Sequence, residues 1–278
     1  MIGRRVFLTA GAAFALMSRT PAAESPKLSF RGALEQGGLV IGRALPGAKV
    51  TVDGLAVLVS PDGVFAFGLA YDCVKPVEVV AHFADGSSET NQVGALVRQY
   101  EVQTINGLPQ HLVTPSPEEQ ARIERENSLI VEARKRETDG IGFAEPFDWP
   151  FPGIVTSVYG ARRVLNGVAG GPHLGIDIAA PEGTPIRAPA DGIVSLTGDF
   201  LLDGGFTLLD HGHGVSTCYL HQSKRMVTAG GKVARGQAIG LVGQTGRATG
   251  PHMHWGLCWF QVKLDPSRAT AAPAPPKA

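Results

Sequence analysis

Six of the eight histidines in this 278-residue sequence fall in its second half: His173, His211, His213, His221, His252 and His254. Two of them stand one residue apart in TGRATGPHMHWGL (residues 245–257), and in PHLGID an aspartate, Asp177, follows His173 by four. Imidazoles and carboxylates suit a divalent cation, and a catalytic zinc takes three such ligands while keeping a fourth position open for water. On a strand, His252 and His254 face the same way, about 7 Å apart. His173 and Asp177 would lie about 13 Å apart on a straight strand, so they share an ion only if the chain bends between them. Gly175, with Gly170-Gly171-Pro172 just before, permits that bend, which places His173 at the strand entrance and Asp177 on the strand proper. The pair His211-x-His213, in DHGHGV, has the same spacing as His252-x-His254. Spacing alone therefore points to a metal site in this half without choosing between the two pairs.

The elements that must carry these residues are read from composition and punctuation. Hydrophobic residues make up 44% and charged residues 18%, enough apolar material for a real core, and 36 glycines with 20 prolines favour short strands over helices. From residue 24 to 104, β-rich runs are broken at Pro46-Gly47, Asp53-Gly54, Asp62-Gly63 and Asp85-Gly86, each a hairpin signal. This region is expected to be a small β-sandwich resembling immunoglobulin-like accessory domains. It holds no catalytic-looking cluster, and His82 and His111 are isolated. Residues 105–146 form a connector whose helix begins at Ser116, with Pro117 at its first position and Glu119 completing a capping box. Ile123, Leu129 and Ile130 give that helix a thin apolar stripe, and Arg134, Lys135 and Arg136 suit the negative end of its dipole. From 147 to 268 the runs return to β spacing with no helical period, giving an antiparallel β domain, and residues 269–278 are an Ala/Pro tail. The fold class expected is thus all-β with one helical connector.

The first 23 residues read as an export signal: Arg4-Arg5, an apolar run from Val6 to Met17 too short to span a bilayer comfortably, then small residues to Ala22-Ala23. The paired arginines followed by Val-Phe-Leu resemble a twin-arginine signal. No cysteine sits at the cleavage region, which argues against a lipid anchor there. The mature chain is expected to be exported, periplasmic or cell-envelope, with no membrane span. The formal net charge of zero gives no sign of a nucleic-acid partner. Three cysteines, Cys73, Cys218 and Cys258, leave at least one unpaired. On uninterrupted strands Cys258 shares a face with His254 while Cys218 points away from His221, so all three are read as buried thiols.

Four blocks in order, SVYGARR, HLGIDIAAPEGTPIRAPADGIV, DHGHGVSTCYLH and GKVARGQAIGLVGQTGRATGPHMHWGL, resemble the lysostaphin-type (LytM-type) zinc endopeptidases over about residues 148 to 266. The resemblance implies one Zn2+ per chain held by His173, Asp177 and His254, and two catalytic histidines, His221 and His252. It leaves His211, His213, Arg162 and Arg163 as structural residues and makes Tyr219 a candidate for the groove wall. It also implies the substrate, the peptide cross-links of bacterial cell-wall peptidoglycan. The alternative from another class is a non-catalytic peptidoglycan-binding activator of another wall hydrolase, and all five site positions being filled favours the enzyme. A biotinyl- or lipoyl-type carrier, suggested by the hairpins of GKVARGQAIGLVGQTG, lacks a lysine in the required pattern and leaves the histidines unexplained.

Overall fold

A computed structural model describes residues 26–278, and the export signal expected at 1–23 lies outside the described residues. Seven strands come first among the described residues: Leu28–Gly32 (β1), Leu39–Ala44 (β2), Lys49–Val52 (β3), Leu55–Val57 (β4), Val64–Gly68 (β5), Val77–His82 (β6) and Ser88–Val93 (β7). They form two antiparallel sheets, ordered β1-β2-β5 and β4-β3-β6-β7. Their apolar residues, among them Val40, Val50, Phe65, Phe67 and Val79, are buried in one core. Gly47, Gly54, Gly63 and Gly86 all sit at positive φ, the left-handed conformation that their turns demand.

A short strand, Val102–Ile105 (β8), leads into the helix Pro117–Ala133 (α1). The expected capping box is present: Ser116 Oγ accepts from Glu119 N–H, and the Glu119 carboxylate accepts from Ser116 N–H. Ile123 and Ile130 are buried, but Leu129 is exposed and does not belong to the apolar stripe.

The second half contains Ile154–Ser157 (β9), Arg162–Leu165 (β10), Val168–Pro172 (β11), Ile176–Ala179 (β12), Pro185–Arg187 (β13), Gly192–Phe200 (β14) and Gly204–Gly212 (β15). Val215–Gln222 (β16), Lys224–Arg225 (β17), Lys232–Val233 (β18), Ala238–Leu241 (β19), His252–Trp259 (β20) and Val262–Leu264 (β21) complete it. The main sheet runs β18-β14-β15-β16-β20-β12-β9, with β21 pairing on β20. Every pairing within it is antiparallel.

Its central strands are buried on both faces. Residues of one face, including Leu209, Tyr219 and Trp255, share a core with Ile186, Ile239 and Val242 of the small sheet β13-β19-β17 and its flank. On the other, Phe206, Leu208 and Cys218 pack under Ile130 of α1. The connector helix and the strand before it are therefore both built into the second half: β8, which straddles the boundary expected at residue 104, pairs in parallel with β10, and α1 roofs the sheet.

Candidate metal centre

Antiparallel pairing of β12 with β20 sets Asp177 directly opposite His254. His173 enters from the link between β11 and β12, its N–H bonded to Ala161 O at 2.8 Å. The bend after His173 brings its Nε2 to 3.1 Å from Asp177 Oδ1 and 2.8 Å from His254 Nδ1, which is itself 2.9 Å from that Oδ1. Gly175 is required here for space: a Cβ at that position would lie 2.4 Å from His254 Nε2.

The hydrogen bonds around the rings assign the tautomers. A carbonyl oxygen only accepts, so His173 donates from Nδ1 to Val158 O at 3.1 Å, with Ser157 Oγ at 2.9 Å from the same nitrogen. Its Nε2 lone pair is left facing the carboxylate and His254. One proton can satisfy only one of the contacts among these three donor atoms, which lie within 4.8 Å of one another, whereas a divalent cation satisfies all of them. The residues fit a metal ion. His173 and Asp177 are buried, and burial pushes the His254 ring down to about 4, against the pull of Asp177, which keeps it a neutral ligand. Burial opposes ionisation of Asp177, but the His173 and His254 rings and the Arg163 guanidinium outweigh it and hold the carboxyl well below the usual range.

The second pair of histidines flanks this cluster, with the rings of His221 and His252 4.7 Å apart between centroids. His252 shares the face of His254 by strand alternation. His221 reaches the same side because the strand pairing of β16 slips between Tyr219 and Gln222, and His221 itself takes φ +64°. Each ring donates from Nδ1 to a carbonyl, His221 to Thr245 O and His252 to Gly250 O, both at 2.8 Å. Both Nε2 atoms are consequently free to accept a proton. Burial, with the neighbouring rings of His252 and His254, pushes His221 down to about 3.

Two arms of a cleft meet at the cluster. The larger, about 620 Å³, extends from His173 and His254 to the underside of α1. The smaller, about 290 Å³, is lined by Asp177, His221 and His252 on one side and by Gln103, Ile105 and Leu108 of β8 and the loop after it on the other.

Several expectations change on this geometry. Tyr219 does not line the cleft: it is fully buried on the opposite face, bonded to Thr217 Oγ1 at 2.7 Å. Cys218 does share the larger arm with His221, because the irregular backbone at His221 breaks the alternation that would have separated them. Cys218 and Cys258 are buried, but Cys73 is only half-buried. Arg163 is nearer the chemistry than a purely structural residue, for its Nη2 donates to Asp177 Oδ2 and, at 3.2 Å, to Ser157 Oγ. The rival pair turns inward: His211 bonds Asp191 O and Thr217 Oγ1, and His213 packs on Phe143.

Residues 171–266 match the model of peptidase family M23. The peptidoglycan DD-endopeptidase ShyA of Vibrio cholerae is 49% identical over 86 residues, 31% of this chain and 20% of that protein. The DD-carboxypeptidase/endopeptidase Mpg of Neisseria meningitidis is 48% identical over 83 residues, 30% of this chain and 19% of that protein. The aligned stretch thus spans about a fifth of these curated relatives. Among solved structures, a Pseudomonas aeruginosa protein assigned to peptidase M23 is 32% identical, with a TM-score of 0.64, over 84% of this chain and 93% of that one.

Proposed function

The chain belongs to peptidase family M23, and from that premise we propose that it is a zinc-dependent endopeptidase cutting peptide cross-links of bacterial cell-wall peptidoglycan. The observation that carries the reading is the convergence of His173, Asp177 and His254 beside two histidines whose Nδ1 atoms are taken by loop carbonyls. Both named relatives are endopeptidases, and the M23 match includes all five residues. Export to the cell envelope follows from that substrate and from the signal read at residues 1–23. Among the described residues no helix is long and apolar enough to cross a membrane.

Zinc, when bound by the three ligands, supplies a Lewis acid for the scissile carbonyl and an acidified water as nucleophile. The chain's own residues do the rest. Ser157 and Val158 fix the His173 ring, Arg163 holds the carboxylate of Asp177, and Gly175 leaves room for His254. At Nε2 of His221 or His252 a proton can be taken from the attacking water and handed to the leaving amine, while the Nδ1–H bonds to Thr245 O and Gly250 O keep both rings aimed. The charged form that results is also placed to steady the tetrahedral oxyanion.

The test is digestion of purified cross-linked muropeptides by the zinc-loaded protein, followed by chromatography. Dimers should give way to monomers, and both a chelator and His254→Ala should stop this. A zinc-occupied protein that leaves dimers intact across the accessible pH range overturns the reading.

A further inference from the structure

The larger arm of the cleft carries a charge imbalance that the metal centre does not use. Its floor is the face of β16 and β20 on which Leu220 opposes His254, Cys218 opposes Gly256 and Ser216 opposes Cys258. Successive pairs on one face are about 7 Å apart, so this floor runs roughly 14 Å away from His254. It is bare at Gly256, where a Cβ would lie 2.5 Å from the Cys218 sulfur. Lys263 stands opposite Cys258 on the neighbouring strand. Arg134, the C-cap residue of α1, comes down from the roof, its Nη2 3.9 Å from Cys218 Sγ. Arg247 walls the side, its Nη1 3.4 Å from Leu112 O.

All three cations line the arm, and the carboxylate that faces them is Asp203. The fourth cation, Arg163, is already tied to Asp177. Among the described residues no salt bridge forms at Arg134, Arg247, Lys263 or Asp203, and the Arg134 Nε is buried with no hydrogen-bond partner. Burial raises the Asp203 carboxyl above its ordinary value against the pull of Lys263, Arg134 and Arg247. Cys218 offers no thiolate there either, since burial pushes its thiol up to about 11. Arg134 and Arg247 are half-buried, and guanidinium groups held partly out of water without an anion are costly, while their fork of N–H donors matches a carboxylate.

We infer that this arm is a subsite for a carboxylate of the substrate peptide, with Arg134 of the connector helix as its specificity-determining contact and Lys263 at its mouth. The inference rests on the endopeptidase reading only in taking a peptide as the ligand. An extended peptide advances about 3.4 Å per residue, so the carboxylate sits roughly two to four residues from the metal ligands, or fewer where an acidic side chain reaches down the arm.

The experiment uses two wall-derived peptides identical except that one carries a free carboxylate and the other the carboxamide. Both are added to the zinc-loaded full chain, with binding read by stopped-flow fluorescence polarisation before turnover and cleavage read afterwards. The wild type should bind the acid about 10- to 100-fold more tightly than the amide, and raised salt should shrink that ratio. R134Q should bring the ratio close to one by weakening the acid far more than the amide, and K263Q should lower it by a smaller factor. Equal binding of both peptides by the wild type overturns the inference, as does a preference that survives R134Q. If R134Q does not fold, the K263Q ratio decides instead, an unchanged preference again overturning it. If neither peptide is cleaved, the endopeptidase reading fails while the binding ratio still tests the subsite.

Discussion

The four histidines at the centre divide by where their ring protons go. His173 spends its Nδ1–H on Val158 O and turns a lone pair inward, and His254 presents Nδ1 to Asp177 at 2.9 Å. His221 and His252 spend Nδ1–H on loop carbonyls and keep Nε2 open. Two substitutions therefore separate metal binding from proton transfer. His254→Ala should lose the zinc, because two ligands remain where three are needed. His252→Gln should keep about one zinc per chain while kcat falls roughly 10²- to 10⁴-fold, the usual worth of a positioned acid or base. Metal analysis beside steady-state kinetics checks both, and loss of zinc in His252→Gln would contradict the division. Residue types and spacing put forward His173, Asp177, His252 and His254 without excluding His211 and His213, and the resemblance chose among them and added His221. Neither nominated Arg163 and Ser157 as part of the site, for their contacts with Asp177 and His173 arise only when the fold brings β9, β10 and β12 together.

At the scale of elements, turn chemistry was the most legible layer: each dipeptide read as a hairpin turn has its glycine at positive φ, and the capping box of α1 is in place. Only Asp53-Gly54 and Asp85-Gly86 close hairpins, however, since Pro46-Gly47 and Asp62-Gly63 carry the chain from one sheet to the other. Faces were less legible, since period-2 reasoning presumes an unbroken strand. The irregular backbone at His221 moves that ring across the sheet, and Tyr219 ends on the side opposite the cleft. No local pattern shows that Leu129 faces solvent while Ile130 covers Cys218, because the partner surface lies some ninety residues further along.

Strand β15 carries a prediction of its own. It is buried throughout, and within it burial pushes His211 down to about 4 even though Asp191 O and Thr217 Oγ1 hold its two nitrogens. In the unfolded chain this ring titrates near 6.5. Between pH 6.5 and about 4 the unfolded chain thus holds a proton that the folded chain does not. Stability should fall as pH drops through that window, by at most about 1.4 kcal/mol per pH unit from this ring. Urea melts at pH 7, 6 and 5 on the wild type and on His211→Gln measure it, and an equally steep dependence in the variant would remove His211 as the cause.

At the scale of the molecule, the two halves are joined by polar contacts as well as apolar ones. Gly68 of β5 packs against Leu264 and Trp259, and Asp265 N–H donates to Gly37 O at 2.7 Å. Arg98, in the segment leaving the first sheets, meets Asp265 at 2.9 Å, with the aspartate side chain only 2% exposed. The same guanidinium donates to Gln36 O and lies over the rings of Tyr100 and Tyr159. Removing it leaves a buried carboxylate whose remaining partners are the N–H and Oγ–H of Ser267. Stranding one member of a buried ion pair costs about 3 kcal/mol or more. For a chain of this size that is a fall in Tm of roughly 6 to 12 °C. Because the lost contact lies at the junction rather than within either half, Arg98→Ala should lower one shared transition instead of splitting it. Calorimetry distinguishes the cases: two separated transitions, one of them at the wild-type temperature, would mean that the sheets before residue 94 and the metal-bearing half are stable independently of each other. A single lowered transition would mean that the first sheets help to hold the β20–β21 end of the sheet that carries His252 and His254.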